Sequence, residues 1–165
     1  MLWVARDHVR TALAQVGQLT PIAELALRER SYTVSERGRL TDRASTLPLL
    51  TAVRFLVSQA KIICPDIAVE FSATGWSDLR RSIDARNRIT HPKPGQELEI
   101  SDADLAAVGS GVSWLVATLD YVMASTNLAL TRYNDDLRDT VERLVAGDPD
   151  ALAEYQAALR LPAGD

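Results

Sequence analysis

Ser101-Asp102-Ala103-Asp104-Leu105-Ala106-Ala107-Val108 opens the stretch whose reading decides the fold. Ser101 stands where a helix would start. Asp104 takes the third helical position, an acidic relative of the capping box. The acidic first turn suits the positive end of a helix dipole. Beyond it, Leu105, Val108, Val112, Leu115, Val116, Leu119, Val122 and Met123 recur at helical spacing. Tyr133 to Leu144 continues the pattern in amphipathic, charged form. The spacing predicts one long helix from Asp102 to about Ala146, weakest near Ser125-Thr126. Small residues at Gly109-Ser110-Gly111 read as a place for close helix packing rather than a ligand loop. Gly147 ends the helix, and Asp148-Pro149 caps a short last one through about Arg160.

Upstream of Ser101 the signals are again helical. A first helix is expected from about Leu2 to Gln15, ending near Gly17. Thr20-Pro21 reads as an N-cap with proline in the first turn, where its missing N–H costs nothing. The helix that follows is expected to reach about Tyr32, with an extension through Arg43 weakened by Gly38 and by Tyr32-Thr33-Val34-Ser35. Thr46-Leu47-Pro48 begins a third helix, with Leu49, Leu50, Val53, Leu56, Val57, Ala60 and Ile63 on its apolar side; Cys64-Pro65 ends it. After a loop to about Gly75, Ser77 is the expected cap of a fourth helix, which His91-Pro92-Lys93-Pro94-Gly95 terminates. Strand signals are poor. The fold class predicted is all-α: an up-and-down bundle of about five to six helices with a long late helix. It is read as one domain over residues 1–165, with a core at about 20–125 and a C-terminal helical extension at 126–165.

The chain has 165 residues, 47% hydrophobic and 24% charged, ordinary values for a globular domain. The lone Cys64 excludes a cystine framework. Charge appears at Arg6 and Asp7 before any apolar signal core develops. The longest apolar run, Val112–Ala124, carries Asp120 and falls short of the ~20 residues of a membrane helix. A soluble, cytoplasmic protein with no membrane partner is expected. Two histidines and one cysteine are too few for the usual zinc cluster, no P-loop is present, and no serine sits in a nucleophile elbow. His8 reads as a packing residue and Cys64 as a small apolar filler. The tryptophans Trp3, Trp76 and Trp114 read as core.

The net charge of -4 hides an asymmetry. Residues 1–96 hold 14 basic and 9 acidic side chains, and residues 97–165 hold 4 and 13. Two solvated faces would account for this, as would an anion site in the basic half. One segment favours the second account: Asp84-Ala85-Arg86-Asn87-Arg88-Ile89-Thr90-His91-Pro92-Lys93-Pro94. Arg86 and Thr90, four apart, share a helix face. Pro92 forces His91 out of helical angles, so its imidazole can turn toward the Arg86 guanidinium. A permanent planar cation beside a group that moves protons near neutral pH is a phosphate site in outline. The plainer arrangement has Arg86 paired with Asp84 or another acid and His91 capping the helix.

Arg86-Asn87-Arg88-Ile89-Thr90-His91 resembles the motif of the HEPN family: an arginine, four to six residues, then a histidine, often with a polar residue such as Asn after the Arg. The flanking His91-Pro92-Lys93 and the helical setting resemble its defence and toxin members. The resemblance implies a metal-independent RNA endonuclease with no cofactor. Arg86 and His91 would be catalytic: Arg86 would hold the scissile phosphate and His91 would serve as general base or acid. Asn87, Asp84 and Thr90 would support them. Arg80, Arg81, Arg88 and Lys93 would contact the RNA backbone. It further implies a homodimer that brings two motifs together. Lys93 stands where toxins paired with a nucleotidyltransferase carry a tyrosine, so control through that tyrosine is not expected. The acidic region from Glu97 to Asp104, or the charged late helix, would instead meet an antitoxin or regulatory protein, or restrain the basic site. A non-catalytic HEPN-like module that binds RNA or nucleotide or drives assembly is the alternative.

Overall fold

A computed structural model describes residues 1–92 and 100–160. Among them are six helices and one two-stranded antiparallel sheet: α1 (Leu2–Gln15), α2 (Pro21–Leu27), β1 (Arg30–Val34), β2 (Leu40–Ala44), α3 (Leu49–Ile63), α4 (Thr74–Thr90), α5 (Asp102–Val145) and α6 (Pro149–Arg160). The chain is largely all-α, with the long late helix expected from its sequence. It falls into two compact units, Met1–Asn127 and Leu128–Asp165.

The helix boundaries follow local chemistry. Gly17, at φ +70°, closes α1: its amide bonds the Ala14 carbonyl and the Gln18 amide bonds that of Leu13. Thr20 Oγ1 accepts the Ala23 amide at 3.2 Å and caps α2, with Pro21 as its first residue. Ser101 and Asp104 form the reciprocal box at the start of α5: the Asp104 amide donates to Ser101 Oγ and the Ser101 amide to Asp104 Oδ2, both at 3.2 Å. Helix α5 does not break at Ser125-Thr126. Thr126 Oγ1 bonds back to the Val122 carbonyl at 2.9 Å, so the hydroxyl is absorbed within the helix. Helix α4 begins three residues before Ser77, with Ala73 as its N-cap.

The expected second helix, to about Tyr32 with an extension through Arg43, is overturned over both its last turn and its extension. Helix α2 stops at Leu27, Glu29 takes φ 51°, and β1 and β2 pair with Tyr32 opposite Asp42. Gly38, at φ +72°, turns the hairpin. Arg30 and Asp42 pair across the strands.

In the first unit, Val9 and Leu13 of α1, Leu56 and Ala60 of α3, Ile67, and Leu119 and Val122 of α5 form the main core. A second cluster joins Val53 of α3 to Trp76 and Leu79 of α4, with Phe71 and Trp114 packed against it. Phe71 meets Trp76 edge-on at 4.9 Å between centroids, and Trp76 meets Trp114 at 5.4 Å. Helices α4 and α5 approach backbone to backbone: a Cβ at Gly111 would lie 2.6 Å from the Leu79 Cα, and one at Gly75 would lie 2.5 Å from the Trp114 Cβ. Gly109 has open space, so the packing role read into the small-residue run belongs to Gly111. By length and composition α5 is, among the described residues, the one helix able to cross a membrane, and 28% of its apolar window is buried.

The second unit holds the end of α5 and α6. Gly147, at φ +76°, and the Asp148 amide, bonded to the Arg143 carbonyl, close α5. Asp148 Oδ1 then accepts the amides of Asp150 and Ala151 and caps α6. Its Oδ2 accepts Arg143 Nε at 3.0 Å.

Candidate active site

The Arg86–His91 segment is the last turn of α4. The expected turn at Pro92 is present: His91 is the C-cap at φ -135° and ψ 64°, and its amide donates to the Asn87 carbonyl at 2.9 Å. Thr90 Oγ1 donates to the Arg86 carbonyl at 3.0 Å and so ties the turn to itself. Arg86, Asn87, Thr90 and His91 are all exposed. Arg86 Nη1 reaches only Asn87 Oδ1, at 3.5 Å. Among the described residues Arg86 forms no ion pair, with Asp84 or any other acid, and no hydrogen bond joins it to the His91 ring. Asp84 is exposed and likewise outside every such pair.

The other arginines of α4 divide by face. Positions 80, 83 and 87 fall within an arc of roughly 60°, while 81 and 88 lie roughly 120° round the helix. Arg81 Nε and Arg88 Nη2 both reach Asp104, at 3.0 and 2.9 Å. Asp104 is 5% exposed, and its carboxyl is lowered to about 2, first by the hydrogen bond from Arg81, then by those from the Ser101 hydroxyl and amide. Arg81 and Arg88, expected at an RNA backbone, therefore tie α4 to the first turn of α5. Lys93 lies outside the described residues, as do Glu97 to Glu99 of the expected acidic restraint.

The face carrying Arg80 borders α3. A cavity of about 510 Å³ there is lined by Leu49, Leu50, Thr51, Ile83, Arg86 and Asn87, together with Pro48. A second, of about 560 Å³, shares Leu50 and Thr51 and adds Arg54, Ser58, Trp76 and Arg80. Among the described residues no carboxylate lines either one. Because they share Leu50 and Thr51 the two adjoin along α3 and α4, and the pair is termed the trough, with Arg86 at the first and Arg54 and Arg80 at the second. Arg54 was not among the expected site residues. Its guanidinium lies 4.4 Å from the Phe71 ring centroid and 4.9 Å from that of Trp76. A signal for it exists in the sequence: it is the one charge on α3 before Lys61.

The remaining reactive groups lie elsewhere. His8 Nε2 is 2.7 Å from Thr126 Oγ1 between α1 and α5, and burial holds its pKa below the usual imidazole range. Cys64 is free and half-buried at the end of α3. Compared with protein-family models, curated proteins and solved structures, the chain matches none of them.

Proposed function

We propose that the chain is a metal-independent RNA endonuclease of the HEPN type, acting in a toxin–antitoxin, stress or anti-phage defence setting. The observation that carries this reading is the contrast between Arg86 and its neighbours. On a helix whose Arg81 and Arg88 are both paired with one buried carboxylate, Arg86 is exposed and outside any ion pair among the described residues. It stands one turn from a histidine that the helix end has turned out of helical angles.

In the reaction, Arg86 holds two oxygens of the scissile phosphate and stabilises the charge that builds there. His91 takes the proton of the RNA 2′-hydroxyl. The 2′-oxygen bonds to phosphorus and the bond to the 5′-oxygen breaks. The leaving oxygen is protonated by the imidazolium of a second His91, supplied by a second copy of the chain. The products are a 2′,3′-cyclic phosphate and a 5′-hydroxyl. Exposed Ile89 on α4 and Leu105, Val108 and Val112 on α5 support such pairing, because they leave apolar surface next to the Arg88–Asp104 pair. The same surface supports the alternative of a non-catalytic assembly module. An antitoxin or regulatory protein would act on this site or on the acidic second unit.

The test is cleavage of total RNA by purified protein in excess EDTA, beside Arg86→Ala and His91→Ala. Cleavage with cyclic-phosphate ends that both substitutions abolish supports the reading. Cleavage that survives both refutes the site.

A further inference from the structure

We infer that the trough between α3 and α4 is a binding track for single-stranded RNA, with Arg54 and Arg80 holding the strand beside Arg86. The identity of the strand rests on the ribonuclease reading; the anion track itself does not.

Three observations carry it. First, Arg54, Arg80 and Arg86 are the α3 and α4 arginines outside every ion pair among the described residues, and all three line the trough. Elsewhere in the first unit Arg6, Arg10, Arg28, Arg30, Arg81 and Arg88 all have carboxylates within 4.0 Å, whereas Arg37, Arg39 and Arg43 of the exposed hairpin are also outside the ion pairs among the described residues but line neither cavity. Cations without acids, gathered where no carboxylate of the described residues lines the surface, are arranged for an external anion.

Second, Arg54 is positioned in advance. The rings of Phe71 and Trp76 hold its guanidinium, and Trp76 is itself fixed by Phe71 and Trp114. A flexible side chain ordinarily loses rotamer freedom when it grips a ligand; here the aromatic contact has already taken much of that loss. A planar cation so held can bond phosphate oxygens, and its face can stack on a base.

Third, the dimensions fit. Each cavity lies within the ~300–1,000 Å³ typical of ligand clefts. Arg80 and Arg86 are six residues apart on α4, roughly 9 Å along its axis and roughly 120° round it, so they flank the trough from two sides of the helix rather than from one face. The exposed hydroxyl of Thr51 adds a donor on the α3 side, while that of Ser58 already donates to the Phe55 carbonyl at 2.8 Å.

The experiment measures binding of a fluorescent 2′-O-methyl oligouridine about ten nucleotides long, which lacks the attacking hydroxyl. Anisotropy titrations across a salt series compare wild type with Arg54→Gln, Arg80→Gln and Arg28→Gln. Circular dichroism and thermal melting confirm folding, and Arg54→Lys separates charge from planarity. The expected result is about a tenfold loss of affinity for Arg54→Gln and for Arg80→Gln. Each should also lower the salt slope by about 0.7. Arg28→Gln should match wild type, and Arg54→Lys should keep the slope while losing affinity. No measurable binding by wild type, or affinities and slopes unchanged in both trough variants, overturns the inference. The two readings fail separately. RNA cleavage with unchanged binding in the trough variants removes the track and leaves the nuclease. Binding that depends on Arg54 and Arg80, without cleavage, removes the nuclease and leaves the track.

Discussion

Arg88 Nη2 donates to Asp104 Oδ2 at 2.9 Å and joins the last turn of α4 to the first turn of α5. Asp104 thus serves two ends at once. It completes the cap of α5 with Ser101, and it accepts from both Arg81 and Arg88 on α4. Its carboxyl is held at about 2 against an ordinary 3.8, so the folded state binds this proton more weakly than the unfolded state does. The stability it contributes is therefore complete above 3.8 and is lost as pH falls through about 2. Urea midpoints of wild type and Asp104→Asn, measured from neutral pH downward, should differ at neutral pH and converge across that window. A gap that stays constant with pH would show that the carboxylate's charge is not what joins the helices.

Two glycines one turn-half apart on α5 should respond with opposite sign. A Cβ at Gly111 meets the Leu79 backbone at 2.6 Å, which no side-chain rotation relieves. Gly111→Ala is expected to cost about 1–3 kcal/mol through overpacking, despite its better helix propensity. At Gly109 the new methyl meets nothing within 4 Å, so Gly109→Ala should gain up to about 1 kcal/mol. Denaturant unfolding of the pair checks this, and shifts of the same sign would contradict the close approach of the two helices.

His8 sets a second pH dependence, nearer neutrality. Burial lowers its pKa from 6.5, more than Asp7 and the Met123 backbone raise it. Between its folded value and 6.5 the unfolded chain binds more protons, so stability falls on acidification below 6.5. Thermal midpoints of wild type should drop through this range, while His8→Gln should remain nearly flat until the carboxylates titrate. A variant that tracks wild type would place the dependence on another group.

How much of this was legible in the sequence depends on what each signal reports. Gly17, Thr20-Pro21, Ser101 and Asp148-Pro149 act within a few residues of themselves, and the boundaries they imply agree with the structure. The hairpin was not legible because its strands are exposed on nearly every residue, so no apolar alternation marks them. Ser77 read as a cap, yet α4 starts earlier, with Trp76 inside it and packed against Phe71 and Trp114. That packing is non-local and carries no mark at Ser77. The candidate pair stood out through Pro92 and the spacing of Arg86 and His91. The sorting of the arginines did not: it depends on which face of α4 meets Asp104 and which meets α3. Arg54 belongs to the site through Phe71 and Trp76, some twenty residues away in sequence.

That sorting leads to a prediction that separates catalysis from scaffolding on one helix. Among the described residues Arg86 forms no hydrogen bond or ion pair beyond its own turn of α4, so Arg86→Ala should leave the thermal midpoint nearly unchanged. If its guanidinium meets the transition state, the same change should lower the cleavage rate about 10²–10³-fold. Arg86→Lys should recover little, because an ammonium cannot reproduce the two parallel hydrogen bonds of the planar fork. Arg88→Gln should behave in the opposite way. It removes one of the two cations on a carboxylate that is 5% exposed, so the midpoint should fall while cleavage by the folded fraction persists. Initial rates in excess EDTA, taken well below both midpoints, distinguish the two patterns. A rate loss for Arg88→Gln equal to that for Arg86→Ala would mean that the two arginines act as one cluster, and the assignment of Arg86 alone to the phosphate would fall.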